Sequence, residues 1–513
     1  MGRNMKKSVK IIIAIVAVAL AFAVAVPSVV FGYSAYQKKA DLKITIKKDK
    51  TLNEFEGFGA SACWWAQYCG NSELDEEITK LLYSKEGLGL NIFRYNIGGG
   101  EADNSQSTIG NPWRKTESFY VLDEETGEYK YDFTRDANAQ KILDLALSYG
   151  TVDTVVLFAN SPHFSMTISG KASGGGSDGW QSNLSRADYK KYVDYFLTIT
   201  QYFLDKGVPV KYISPINEPQ WAWGGGYTGQ EGCHYDTDEE IYELLTLFAK
   251  EIKARGMNVK LSCPESGAIA ENTERWFSEL YGNADVRDVL GTLAYHSYWS
   301  DEYVERKADF GEWLNKNVPD AKVEMSEWCQ LPCTSDITSI EGALIQARVI
   351  ANDLEYTGAD SWSAWVGVNQ AGVADDGKNY TDGLLSANDD FTEYEIAMRY
   401  WAMAHFSKFI PAGSVRLESK KNINDLQVTK VENTEEDNLT KYATNTVSFL
   451  TPDGKVVCVI VNEGVERGLS FKVDASKMTV YTTTQDSQLE NTYSGELAKI
   501  PMPANSIITV VFE

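Results

Sequence analysis

The chain has 513 residues, with 48 Lys+Arg against 72 Asp+Glu and a formal net charge of −24. At about 100–200 residues per domain, that length accommodates several domains or one large barrel with a smaller companion. A composition of 43% hydrophobic and 23% charged residues excludes wholesale disorder. The acidic balance excludes a nucleic-acid partner, since neutralising phosphates takes clustered Lys and Arg. Four histidines without an HExxH pattern leave little for a metal centre, so no cofactor is expected.

Arg3, Lys6, Lys7 and Lys10 precede an apolar run from Ile11 to Val26 that continues weakly to Gly32. A basic start followed by such a run reads as a secretion signal. The run is shorter than the about 20 residues of an unaided membrane span. Residues 1–40 are therefore a signal peptide, with a small-residue cleavage site near Ser34-Ala35, or a retained N-terminal membrane anchor. Either way the body is extracellular or at the cell surface. The apolar run is followed by no cysteine that would mark a lipoprotein. Next, residues 41–56 contain an alternating apolar–polar stretch, Leu42–Ile46.

From residue 57 to 409, short β-branched segments alternate with amphipathic helical ones. Strands are predicted to begin near Phe58, Asn91, Thr154, Tyr212, Lys260, Thr292, Lys322 and Ser361. Among the helices, Asn71-Ser72 caps a stretch through Leu82, and Ser185-Arg186 opens one ending at Gly207. Thr237 with Glu240 forms a capping box for a helix stopped by Gly256. Strands each followed by a helix predict an α/β fold, a (β/α)8 barrel with enlarged loops. A doubly wound sheet is the alternative, but the Gly98-Gly99-Gly100 cluster lacks GxGxxG spacing. The glycines of Gly170–Gly176 and Gly224–Gly226 read as loop residues, with no Lys-Ser/Thr following to make a phosphate cradle.

Pro411-Ala412-Gly413 then breaks the pattern, and residues 410–513 read as turn-punctuated strands: Thr446–Leu450, Lys455–Val461 and Ser506–Phe512. This predicts a side β-sandwich to which the 41–56 segment adds a strand. Cys63, Cys69, Cys329 and Cys333 sit just after predicted strands; one bridge among them or buried free thiols are both open.

Barrel chemistry sits where strands end at the C-terminal face. The ends read as Arg94-Tyr95-Asn96, Asn160-Ser161-Pro162, Asn217-Glu218-Pro219, His296-Ser297-Tyr298, Ser326-Glu327-Trp328, and Trp362 with Trp365. Two of these present a carboxylate, on the fourth and seventh strands, which face each other across the mouth. Hydrolysing an acetal by double displacement takes one carboxylate to attack the anomeric carbon and another to protonate the leaving oxygen.

These residues resemble the large clan of retaining glycosidases on (β/α)8 barrels, and more closely glycoside hydrolase family 30, over roughly residues 42–513. Phe58-Gly59-Ala60-Ser61, Trp64-Trp65-Ala66, Asn91 through Gly99 and Gln230-Glu231-Gly232-Cys233-His234 are similar to its endo-β-1,6-galactanase branch. The resemblance implies a barrel with a side β-sandwich, Glu218 as acid/base and Glu327 as nucleophile. It implies that Arg94 keeps Glu327 ionised, that Asn217 binds the sugar 2-OH, and that His296 and Tyr298 line the nucleophile side. Asn160 joins the substrate-binding set, Trp365 is the floor under the sugar, and Trp64, Trp65, Trp221 and Trp223 are candidate platforms. Glu101 and Asp103 are either sugar-binding loop acids or solvated charges. His163 stands where the family pattern leads one to expect an aromatic residue.

The expected partner is a polysaccharide or oligosaccharide, with membrane attachment through the apolar N-terminus if that is retained. The expected activity is hydrolysis of β-1,6-linked galactan, such as arabinogalactan side chains. β-1,6-Glucanase, xylanase, exo-β-glycosidase and transglycosidase are its rivals within the enzyme class. A non-catalytic carbohydrate-binding surface protein is the rival outside it.

Overall fold

A computed structural model describes residues 41–225, 229–300, 304–331, 336–372, 381–423 and 444–513. The expected N-terminal signal or anchor lies outside these, as does Cys333. Among the described residues no helix is long and apolar enough to cross a membrane.

Among these residues eight parallel strands close into a barrel: Gly57–Ser61, Ile92–Asn96, Thr154–Phe158, Val210–Ser214, Lys260–Ser266, Leu290–His296, Val323–Trp328 and Ser361–Ala364. Each starts within two residues of the predicted position. Nearly every strand residue is buried because the helices cover the outer face and side chains fill the inner one. The helix Asp238–Arg255 carries the Thr237/Glu240 capping box and stops at Gly256, whose φ of 62° is the left-handed value a helix terminus favours. The helix at Asp75–Tyr83 begins later than predicted: Ser72 accepts from the Leu74 N–H instead of capping the helix itself.

The side domain is a nine-stranded sheet in which Leu42–Phe55 pairs antiparallel with Ser414–Lys421 and parallel with Arg467–Lys472. The expected N-terminal strand is thus present. Strands Thr444–Leu450, Val456–Asn462 and Ser506–Phe512 form its middle. The near-continuous apolar sequence of the last two has a physical reason. Val456, Cys458 and Ile460 face the sandwich core, while Val457, Val459 and Val461 face the barrel. A strand buried on both sides loses the alternation that a half-exposed one shows.

Helices Ile340–Asn352 and Met398–Ser407 form the barrel side of this joint. Within it His405 is fully buried, with Nδ1 2.8 Å from Thr509 Oγ1 and Nε2 2.8 Å from Thr483 Oγ1. Burial pushes this imidazole down from 6.5 to about 3. A depressed imidazole contributes stability above its unfolded value and loses it as pH falls from 6.5 toward 3. His405→Gln is therefore expected to flatten the acid side of a plot of melting temperature against pH, which differential scanning fluorimetry would read.

The six described cysteines are buried free thiols.

Candidate active site

Glu327 is the penultimate residue of the seventh strand, and Glu218 lies in the loop just past the fourth. Glu218 has a φ of 45°, an uncommon conformation for a non-glycine residue. Its backbone is pinned on both sides: its N–H donates to the Glu265 carbonyl at 2.9 Å, and its own carbonyl accepts from Trp223 Nε1 at 3.0 Å. Trp223 is thereby a buried prop for this loop, not an open platform.

Arg94, 1% exposed, crosses the barrel interior from the second strand. Its Nη1 donates to Glu327 Oε2 at 2.6 Å and its Nη2 to Asn217 Oδ1 at 3.1 Å. The Phe158 ring lies 3.7 Å from the guanidinium carbon. Tyr298 donates from its hydroxyl to Glu327 Oε1 at 3.2 Å. His296 stands between the two glutamates, not only on the Glu327 side. Its Nδ1 is 2.9 Å from Glu218 Oε1 and 3.7 Å from Glu327 Oε1.

Two carboxylate-bearing strand ends were expected, but the structure adds a third. Glu265, on the fifth strand, is fully buried with Oε2 3.1 Å from His296 Nε2 and 3.7 Å from Arg94 Nη2. Ser214 donates to its Oε1 at 2.8 Å, and Ser326 donates to Oε2. Cys263-Pro264-Glu265-Ser266 was the missed signal: a carboxylate at a barrel strand end, beside a proline.

Burial would raise the Glu265 carboxyl, but Arg94, His296 and Ser326 together outweigh it and hold the group near 2. Burial would likewise lower His296, yet Glu327, Glu218 and Glu265 around it lift it to about 10. Glu327 is raised, chiefly by burial and also by Glu218, against the pull of His296 and Arg94. Glu218, His296 and Glu327 bring three potential ligand atoms within 4.8 Å of one another. A metal needs an unprotonated imidazole nitrogen, whereas this imidazole is held protonated with Glu218 and Glu265 against its two nitrogens. The donor set does not fit a resident cation.

The aromatic candidates separate. Trp65 is fully buried with its Nε1 donating to the Ser61 carbonyl at 3.0 Å, so it is core and not a platform. Trp64 is 7% exposed, and Arg114 lies 4.6 Å over its ring. It meets Trp365 edge-on at 5.4 Å, and both line a narrow cleft with Asn111, Arg114, Gln370 and Asp382. Trp221 is half-buried beside Glu218. Asn160 is turned toward Asn96 and Cys63, with its Oδ1 buried and unpartnered.

Glu101 is neither a solvated charge nor open to a ligand: it is fully buried and accepts from the Ala172 N–H at 2.6 Å. Asp103 pairs with Arg135 at 2.5 Å. His163 is buried among Tyr120, Tyr129, Phe164 and Tyr195, filling an aromatic position as an uncharged ring that burial pushes down to about 3. Glu231 also has a structural place. It accepts from the Gly99 N–H at 3.0 Å and from the Thr116 hydroxyl, anchoring the loop after the second strand.

A closed barrel with a β-sandwich at its side and buried carboxylates converging at its mouth defines a class, the barrel glycoside hydrolases. The O-glycosyl hydrolase family 30 model matches residues 41–385, and the family 30 β-sandwich model matches residues 413–510. The chain belongs to glycoside hydrolase family 30. It is 24% identical over 296 residues to an endo-β-1,6-galactanase of Hypocrea rufa, a match spanning 54% of this chain and 59% of that protein. An exo-β-1,6-galactobiohydrolase of Bifidobacterium longum is 22% identical over 38% of this chain and 16% of its own length. The chain thus spans less than two thirds of either relative. Among solved structures, a conserved exported protein from Bacteroides fragilis superposes with a TM-score of 0.75 at 25% identity, covering 91% of this chain and 99% of that one. The catalytic domain of xylanase C from Talaromyces cellulolyticus gives a TM-score of 0.66 at 18% identity, covering 92% and 100%, and shares the fold.

Proposed function

We propose that the protein is an exported retaining glycosidase that cleaves β-1,6-linked galactan chains by double displacement. The observation that carries the retaining assignment is the approach of the two carboxylates, with one oxygen of each within 4.8 Å of the other. A retaining pair stands about 5–5.5 Å apart, whereas an inverting pair leaves about 6.5–9.5 Å for a water. Glu327, oriented by Arg94 and Tyr298, attacks the anomeric carbon while Glu218 protonates the departing oxygen. Water, deprotonated by Glu218, then releases the sugar from Glu327.

Asn217 gives its amide oxygen to Arg94, and its Nδ2 makes no hydrogen bond among the described residues. That nitrogen is directed to the sugar 2-OH, a contact that strengthens in the transition state. Trp365 underlies the sugar ring. Galactan as substrate is supported by the Hypocrea rufa and Bifidobacterium relatives. Export is supported by the basic–apolar N-terminus and by the exported Bacteroides relative. Product analysis on β-1,6-galactan, β-1,6-glucan and xylan tests the substrate. Release of β-1,6-galacto-oligosaccharides is the expected outcome, and turnover of only glucan or xylan would overturn it.

A further inference from the structure

Two glycine-rich loops at the barrel mouth are joined backbone to backbone. The Gly175 N–H donates to the Trp223 carbonyl at 3.1 Å. A Cβ on Gly174, where φ is 103°, would stand 2.2 Å from the Trp223 carbonyl carbon, and one on Gly225, where φ is 59°, would stand 2.7 Å from the Asp178 backbone. Side chains at these positions would push the loops apart. This joint ties the loop after the third strand to the loop that carries Glu218.

At its rim stands Trp180, 55% exposed. Its backbone N–H donates to Asp178 Oδ1 at 3.2 Å, and its ring lies perpendicular to that of His234 at 5.4 Å between centroids. His234 Nδ1 is 3.0 Å from the Trp221 carbonyl. A Cβ on Gly267 would lie 2.3 Å from Trp221 Nε1 and 2.7 Å from Glu218 Oε1, so the Trp221 indole runs alongside the Glu218 carboxylate. A file of residues thus leads from Glu218 through Trp221, whose backbone carbonyl meets His234, to Trp180.

An indole more than half exposed and held in ring contact with a buried imidazole is suited to covering another flat, partly apolar surface. We propose that Trp180 is a platform for a sugar of the departing chain, lying beyond the sugar that Trp221 borders. The inference rests on Glu218 being the acid, because the group that protonates the leaving oxygen lies on the leaving chain's side. The ligand is a β-linked oligosaccharide extending past the cleaved bond, and the enzyme's efficiency depends on chain length on that side.

The test compares wild type, Trp180→Ala and Trp180→Phe on galactan oligosaccharides and on a nitrophenyl β-galactoside, whose leaving group is too short to reach Trp180. Trp180→Ala is expected to lose about tenfold in kcat/KM on the oligosaccharides, carried mainly by KM. It keeps the wild-type rate on the aryl glycoside, and Trp180→Phe recovers most of the loss. Unchanged oligosaccharide kinetics, or an equal loss on both substrates, would overturn the proposal. If wild type cuts another β-linked glycan instead, the galactan reading fails, and the same comparison on that glycan and its aryl glycoside decides the role of Trp180. Glu218→Ala checks the acid separately: its kcat/KM should fall far more on the oligosaccharides than on the aryl glycoside, whose leaving group needs little protonation, while kcat falls on both because the base of the second step is gone. Equal losses of kcat/KM on both substrates would sink the acid assignment and the Trp180 proposal with it.

Discussion

Glu327→Ala is expected to lower kcat on the order of 10⁴-fold or more without loss of the fold, and azide is expected to restore part of it. Burial raises this carboxyl, so its ionised form is costly where it stands, and truncation leaves Arg94 with Glu265 and Asn217 as partners; the melting temperature should therefore fall less than in Glu265→Ala. The stereochemistry of rescue separates the two glutamates. Azide entering the space vacated by Glu327 attacks a β-glycoside directly, with one inversion, and gives the α-glycosyl azide. In Glu218→Ala, Glu327 still forms the covalent intermediate, and azide attacking that gives the β-glycosyl azide by a second inversion. NMR of the products reads the difference. A β-azide from Glu327→Ala, or an α-azide from Glu218→Ala, would reverse the two roles. Hydrolysis of a β-glycoside by wild type to an α product would end the double-displacement mechanism altogether.

Much of the frame was legible because strand and helix periodicities are local. The barrel strands carry short β-branched runs, and helices such as Asp238–Arg255 carry their own start and stop signals. The N-terminal strand was legible through the alternation of Leu42, Ile44 and Ile46, which face the sandwich core. What stayed hidden depends on partners distant in sequence. Trp65 and Trp221 have the same side chain, but a neighbouring carbonyl at Ser61 makes one core and the loop past Glu218 leaves the other half-exposed. Glu101 looks like a loop charge until the Ala172 N–H, 71 residues away, is found against it. Glu265 carries the same local mark as Glu218 and Glu327, a carboxylate at a barrel strand end, but its tie to Arg94 and His296 depends on strands distant in sequence. The loop glycines were recognised as such, but their requirement came from the opposing backbone, which no local pattern reports.

Glu265 yields the second large effect. It sits between Arg94 and His296, and removing one member of a buried ionic group leaves the others uncompensated, at a cost of about 3–5 kcal/mol. Glu265→Ala should therefore melt well below wild type, and Glu265→Gln, which keeps the shape and some hydrogen bonds, less so. The pH dependence identifies the cause. A carboxyl held near 2 in the fold, against an ordinary 4.5, contributes stability above pH 4.5 and loses it as pH falls toward 2. An imidazole lifted from 6.5 to about 10 contributes stability below 6.5 and loses it as pH rises toward 10. Glu265 supports that lift, so Glu265→Gln should weaken the acid-side slope and bring the alkaline decline to lower pH. Because His296 contacts Glu218, the alkaline limb of kcat/KM should move the same way. Melting curves and initial rates between pH 4 and 10 would show both. A Glu265→Gln enzyme with wild-type limbs on both profiles would mean that His296 does not draw its proton affinity from this carboxylate, and that Glu265 only fills space beneath the catalytic pair.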